Sequence, residues 1–380
     1  MISFELSDKQ KALRQKMYLV AKEKLQPLCL ELDKKQPASI DARLREIMGN
    51  EQLNSLTIPE EYGGRPVDRL TLSIVTEEIG YGCAGFASIY AATVHAVSAL
   101  LIGGSEQQKS EYLPLLLSTD GEVASCAITE EKGGSDTASF STTAHLDGDV
   151  YVLSGLKRPI INAGYASFYI VWVSSDTGRG RAGINVFVIP QDTVGMTFSN
   201  FHEKTGLRIT PTADIIFNKV TVPKANLIGL PGSGYLLLMQ TLDLGRAFFG
   251  AIGIGLARAA LEEVIAFAKN RIILNRPIIK NQGISFLLAE IASELEAARL
   301  LVWKACRLMD LNLDYTRESS MAKLLATEVA VRATVEGMMI LGQHGCIGFT
   351  PMSKYQRDAQ ALRIIEGTNQ IQKMIIASQL

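Results

Sequence analysis

The sequence predicts an α+β chain, mainly α, in three successive parts: an N-terminal helical domain (1–120), a middle antiparallel β domain (121–230) and a C-terminal four-helix bundle (231–380). Three observations predict it. Apolar residues in the first third recur at helical spacing behind serine caps. Between about 121 and 228 the texture changes to short β-branched and aromatic segments separated by Gly, Asp and Asn. From about 232 the helical period returns in long, Ala-rich stretches, with Gly and Pro clustered between them.

Ser7 followed by Gln10 reads as a capping box, and Leu13, Met17, Val20 and Ala21 then recur at helical spacing up to Pro27. IPEEYGGRP (58–66) is a loop broken by Gly63 and Gly64. A second helical stretch covers about 68–80, an apolar one 85–102, and SEQQKSEYLPLLL (105–117) opens on another serine cap. In the middle region, Asp147–Gly148 between TTAHL and VYVLSG predicts a hairpin. FYIVWVSS, INVFVIP and DIIFNKVTVP supply further strands. Four long helices are expected near 232–270, 282–311, 317–342 and 356–379.

Composition excludes several classes. With 38 Lys+Arg against 39 Asp+Glu, the chain lacks the basic surplus of a generic nucleic-acid binder. Its 47% hydrophobic content is far from that of a disordered chain. A mean hydropathy of +0.14 points to a large core or a buried oligomer interface. The five cysteines, Cys29, Cys83, Cys126, Cys306 and Cys346, form no CxxC, which fits a reducing cytoplasm. The charged start MISFELSDKQKALRQK does not read as a signal peptide. The apolar runs around His95 and Arg258 are interrupted before reaching the length of a membrane span.

No metal constellation is visible. His95, His145, His202 and His344 are widely spaced and read as lone structural or surface histidines. GAIGIG (250–255) lies inside a helical run, where helix packing explains it better than dinucleotide binding. Two segments remain. In AITEEKGGSDTAS (127–139), the Thr129 and Ser135 hydroxyls and the amides around Gly133 and Gly134 can cradle a phosphate or a polar ring edge, or form an ordinary loop. In RIIEGTNQIQ (363–372), Glu366 follows two isoleucines. A carboxylate in apolar surroundings is pushed up from about 4.3, which suits a general base; an acid at a helix N-terminus is the plainer alternative.

Taken together these segments resemble the acyl-CoA dehydrogenases, and the resemblance runs along nearly the whole chain in the right order. FELSDKQ, IPEEYGG, GSEQQKSEYLPLL, AITEEKGGSDTAS, KTGLRITPT, VTVPKANLIG, DLGR (243–246), RPI (276–278), LAEI (288–291), RDA (357–359) and IIEGTNQIQ carry it. The resemblance implies FAD-dependent oxidation of the Cα–Cβ bond of an acyl thioester. Glu366 would remove the α-proton while flavin N5 accepts the β-hydride. The family's alternative base position is Gly245 here, which leaves Glu366 as the candidate. Arg246 would bias the charge of the base. Asp243 and Gly367 would lie on the substrate side, and the Glu366 amide would help hold the thioester carbonyl. Thr129, Gly134, Ser135, Thr368 and Gln370 would contact FAD, and Arg271 would reach the FAD of a neighbouring subunit in a homodimer or homotetramer. The acyl donor would be coenzyme A or an acyl carrier protein, and the electron acceptor an electron-transfer flavoprotein or another acceptor.

The cofactor side departs from the family pattern. Pro159 replaces an aromatic, and Ile161 replaces a Thr or Ser. Leu274 stands where the motif beginning at Arg271 carries Phe. Met339 and Gln343 stand where Gln and Gly are usual. Ile365 replaces a Tyr before the base. Three readings stay open: a divergent FAD enzyme, a chain with little or no FAD that uses Glu366 for proton transfer alone, and a non-catalytic scaffold.

Overall fold

A computed structural model describes residues 5–380; the first four residues of the charged N-terminal stretch lie outside the described residues. Ser7 and Gln10 form the expected capping box and open α1 (Asp8–Leu19). The helical run does not end at Pro27. A π-helical segment, Val20–Leu25, widens the hydrogen-bond ladder, and α2 (Gln26–Lys35) restarts with Pro27 in its first turn, where a missing N–H costs little. The remaining N-terminal helices are α3 (Ala42–Asn50), α4 (Arg69–Gly82), α5 (Ala84–Gly103) and α6 (Glu106–Tyr112), the last opened by a Ser105–Gln108 capping box. By length and composition α5 is apolar enough to cross a membrane, but 89% of its 18-residue window is buried inside the protein, so it is a core helix.

Seven strands form one sheet: β1 (Ala124–Ala127), β2 (Thr143–Asp147), β3 (Val150–Ile161), β4 (Phe168–Ser174), β5 (Ile184–Pro190), β6 (Met196–Ser199) and β7 (Thr212–Pro223). The β2–β3 hairpin turns at Asp147–Gly148, with Asp147 opposite Val150. The sheet is mixed rather than wholly antiparallel, because β4 runs parallel to β1 and meets the start of β2 in parallel. Two four-residue strands, β1 and β6, are too short to show a period in sequence. Buried Asn162, just after β3, donates from Nδ2 to the carbonyls of Ile89 (3.1 Å) and Ala124 (3.2 Å) and so fixes α5 to the sheet.

The C-terminal part holds α7 (Gly234–Asn270), α8 (Gln282–Asp310), α9 (Thr316–Leu341), α10 (Gln343–Cys346), α11 (Pro351–Leu362) and α12 (Asn369–Ala377). The expected continuous helix over 356–379 is two helices. The chain breaks over 363–368, with Glu366 at φ 58° and Gly367 at φ 81°. Long α7 packs on α4, α5, α8 and α9. The GAIGIG glycines serve that packing: a Cβ at Gly255 would lie 2.1 Å from the Glu77 carbonyl oxygen on α4. Buried Glu77 also accepts from Arg258 on α7 (2.7 Å) and Arg299 on α8 (3.0 Å), tying three helices together.

Candidate active site

α5, α7 and the break between α11 and α12 converge on Gly245. A Cβ there would lie 1.7 Å from His95 Nε2 and 2.6 Å from Glu366 Oε1. The space above this glycine is therefore filled by an imidazole and a carboxylate. His95 Nε2 and Glu366 Oε1 are 3.4 Å apart, and both side chains are 9% exposed. Neither atom has a well-aligned hydrogen-bond partner. Phe249, one turn along α7, stacks on the imidazole at 5.8 Å between ring centroids.

The segment carrying Glu366 is held from below. Buried Lys323 on α9 donates to the carbonyls of Gly367 (2.9 Å) and Arg363 (3.3 Å) and to Asn369 Oδ1 (2.8 Å). Gln372 Nε2 donates to the carbonyls of Glu366 (3.2 Å) and Gly367 (2.9 Å). These bonds hold a glutamate in the left-handed region, a conformation that costs about 1–3 kcal/mol. Burial pulls Lys323 down to about 8, although the Glu366 carboxylate pulls it up. Among the described residues the Glu366 backbone N–H makes no hydrogen bond. Glu366 thus has polar company, not only the apolar surroundings expected from its two isoleucines.

Asp243 and Arg246 form an ion pair one turn apart on α7. Asp243 also accepts from Thr316 Oγ1 (2.7 Å), and its carbonyl accepts from Ser319 Oγ (2.5 Å). Burial raises the Asp243 carboxyl while Arg246 holds it down. Buried Arg246 Nε has no partner, so this arginine keeps a donor free there.

The sheet supplies the facing wall. Cys126 on β1 is half-buried; burial raises its thiol first, and the nearby Glu366 charge raises it further. Three residues on, the Thr129 carbonyl accepts from the Arg158 amide (2.9 Å), which brings exposed Pro159 beside this loop. Glu130 folds back and accepts from the Ser141 (2.6 Å) and Thr142 (3.0 Å) amides and from Lys157 Nζ (2.8 Å). Lys157 is buried under the Phe140 ring at 3.9 Å and lowered by burial to about 8. In the adjoining, largely exposed loop, the Thr129 and Ser135 hydroxyls and the Gly134 and Ser135 amides have no partner among the described residues. A Cβ at Gly134 would meet the Thr129 side chain at 3.3 Å.

The chain matches the acyl-CoA dehydrogenase N-terminal domain over residues 7–120, the middle domain over 125–220 and the C-terminal domain over 232–380. It belongs to the acyl-CoA dehydrogenase family. The short-chain specific acyl-CoA dehydrogenase, mitochondrial, of Rattus norvegicus is 38% identical over 382 residues, spanning 100% of this chain and 91% of its own. Among solved structures, butyryl-CoA dehydrogenase from Megasphaera elsdenii superposes with a TM-score of 0.95 at 32% identity, covering 100% and 99% of the two chains. The prolyl acyl carrier protein oxidase AnaB reaches 0.93 at 30% identity, covering 99% of each. PigA, solved as an FAD complex, reaches 0.93 at 25% identity, covering 100% and 99%. This acyl-CoA dehydrogenase family member is thus an oxidoreductase by kinship, and FAD is its expected cofactor.

The residues in place fit that cofactor at its polar edges. Unpartnered hydroxyls and amides on 129–135 suit an acceptor-rich ring edge and pyrophosphate. Thr368, the N-cap of α12, and exposed Gln370 follow the Glu366 segment on the same side of the break. At the positions where the resemblance implies an aromatic and a Thr or Ser, exposed Pro159 and half-buried Ile161 stand. Arg271 is not part of this cluster. It ends α7, 26 residues from Gly245, roughly 40 Å along the helix at 1.5 Å per residue. Exposed Leu274 and Gln343 lie toward that same end, where Phe267 meets His344 at 5.3 Å. Sequence reasoning missed His95 and Lys323. Each is the one long polar side chain in an otherwise apolar or small helical stretch, which is the only local signal either gives.

Proposed function

We propose that the chain is an acyl thioester α,β-dehydrogenase in which Glu366 removes the α-proton. The observation that carries this reading is the Glu366 carboxylate, buried with an unpartnered Oε1 on a segment pinned by Lys323 and Gln372, with its own backbone N–H free. That N–H can donate to the thioester carbonyl, which acidifies the α-carbon whose proton the carboxylate takes. When bound, FAD supplies the hydride acceptor for the β-carbon. Thr129, Gly134, Ser135, Thr368 and Gln370 would hold it from this subunit. Arg246 contributes positive charge beside Gly245; its partner Asp243 is committed to that arginine and to Thr316, so it orients the arginine and sits beside the substrate arm.

Coenzyme A is the favoured acyl carrier, because the rat relative is an acyl-CoA dehydrogenase of matched length; an acyl carrier protein is the alternative suggested by AnaB. Electrons would leave to an electron-transfer flavoprotein or another acceptor. A homodimer or homotetramer is supported by Arg271, far from its own base, and by exposed Leu274 (90%), Met339 (76%) and Ile347 (73%). Five free thiols support a reducing, cytoplasmic location.

The test is to purify the protein, record its visible spectrum and add a panel of acyl-CoAs and acyl carrier proteins. A flavin band that bleaches with one of them, and does not bleach in Glu366→Gln, is the expected result. A flavin-loaded protein that no thioester reduces would overturn the dehydrogenase reading. A protein without flavin that still exchanges thioester α-protons would favour proton transfer alone. Light scattering on the same sample measures the assembly, and a monomer would remove the proposed role of Arg271.

A further inference from the structure

We propose that His95 is a positioning residue for the base: its Nε2–H donates to Glu366 Oε1 and leaves Oε2 to receive the α-proton. This inference rests on the reading of Glu366 as the base. Three observations carry it. The two atoms are 3.4 Å apart, a small rotation from a hydrogen bond, and each lacks any other partner. A buried imidazole nitrogen and a buried carboxylate oxygen left unpaired would each be costly, so the pair is satisfied most simply by the other member. Gly245 is the residue that permits the contact, because any side chain there would occupy the position of the imidazole. Phe249, stacked on the ring from the next turn, stops it swinging away.

The tautomer follows from the partner. An ionised carboxylate only accepts, so Nε2 must carry the proton when Glu366 is charged. The charged groups around the pair are Lys323 on α9 and Arg246 on α7, with Asp243 neutralising the arginine; Cys126 faces the carboxylate from β1. Protonating the ring would add a second positive charge next to the base and make its carboxylate a weaker proton acceptor.

The decisive measurement is exchange of substrate α-protons with deuterated water, read by mass spectrometry across pH 5–9, with dehydrogenation followed in parallel. Glu366→Gln should abolish exchange; if it does not, the base assignment itself fails. His95→Leu should lower the exchange rate and kcat roughly 10–100-fold and leave KM near wild type. His95→Gln, whose amide can still donate, should recover part of the loss. A His95→Leu variant with an unchanged exchange rate and kcat, beside an inactive Glu366→Gln, would refute the role of His95 alone. Nitrogen-15 NMR of the four histidines covers a His95 variant that fails to fold. The wild-type protein should show the His95 proton on Nε2, with an Nε2 resonance that moves in Glu366→Gln. An unmoved resonance would refute the pairing.

Discussion

Replacing Gly245 by alanine probes the site at its narrowest point. The new Cβ would stand 1.7 Å from His95 Nε2 and 2.6 Å from Glu366 Oε1. An ordinary contact is about 3.5 Å, so the imidazole must retreat by roughly 1.8 Å and the carboxylate by roughly 0.9 Å. Alanine in mid-helix gains about 1 kcal/mol over glycine, and overpacking a tight site costs about 1–3 kcal/mol. Stability should thus change little, between no effect and a loss of about 2 kcal/mol. Displacing a base by about 1 Å costs on the order of 100-fold in rate. The expected outcome is kcat/KM down roughly 100-fold in a protein that melts within a few degrees of wild type. His95→Ala in the same chain removes the nearer clash, so the double variant should be less impaired than the product of the two single losses. Wild-type kcat/KM in Gly245→Ala would refute the crowding on which the site is built.

Three further expectations follow from the surroundings. Lys323→Met removes the pin of the base segment and should lower kcat roughly 100-fold. Because Lys323 sits at about 8 in the fold against an ordinary 10.5, the unfolded chain binds the extra proton between those values, so wild-type stability relative to Lys323→Met should rise with pH from about 8 to 10.5, by up to about 3 kcal/mol, in denaturant titrations. Lys157→Met leaves Glu130 buried without its cation; it should cost about 3–5 kcal/mol and release flavin on gel filtration, and adding Glu130→Gln should recover part of the stability. Pro159→Trp restores an aromatic surface beside the 129–135 loop and should tighten flavin binding about fivefold, near 1 kcal/mol, in a fluorescence titration; unchanged affinity would show that position 159 does not face the ring.

The helix starts were legible because a cap is a local contract between residues three apart: Ser7 with Gln10 and Ser105 with Gln108 both hold. The Asp147–Gly148 hairpin was legible for the same reason. The last helix was misread because its period survives the break: Leu362, Ile365, Asn369 and Gln372 keep helical spacing across two left-handed residues. Glu366 could be singled out from its motif, but its partners could not. His95 is 271 residues away along the chain, and Lys323 reads locally as one charge on an Ala-rich helix.

By itself, the sequence determined the order of helical, β and helical regions and the family, and it singled out Glu366 as the candidate base, since these rest on caps, turns and motif residues that act within a few positions. Only the tertiary structure decided what Glu366 meets. The contact of His95 with Glu366 over a bare glycine needs α5, α7 and the α11–α12 break to close on one point. That closure is set by packing of residues far apart in the chain, and no local pattern encodes it.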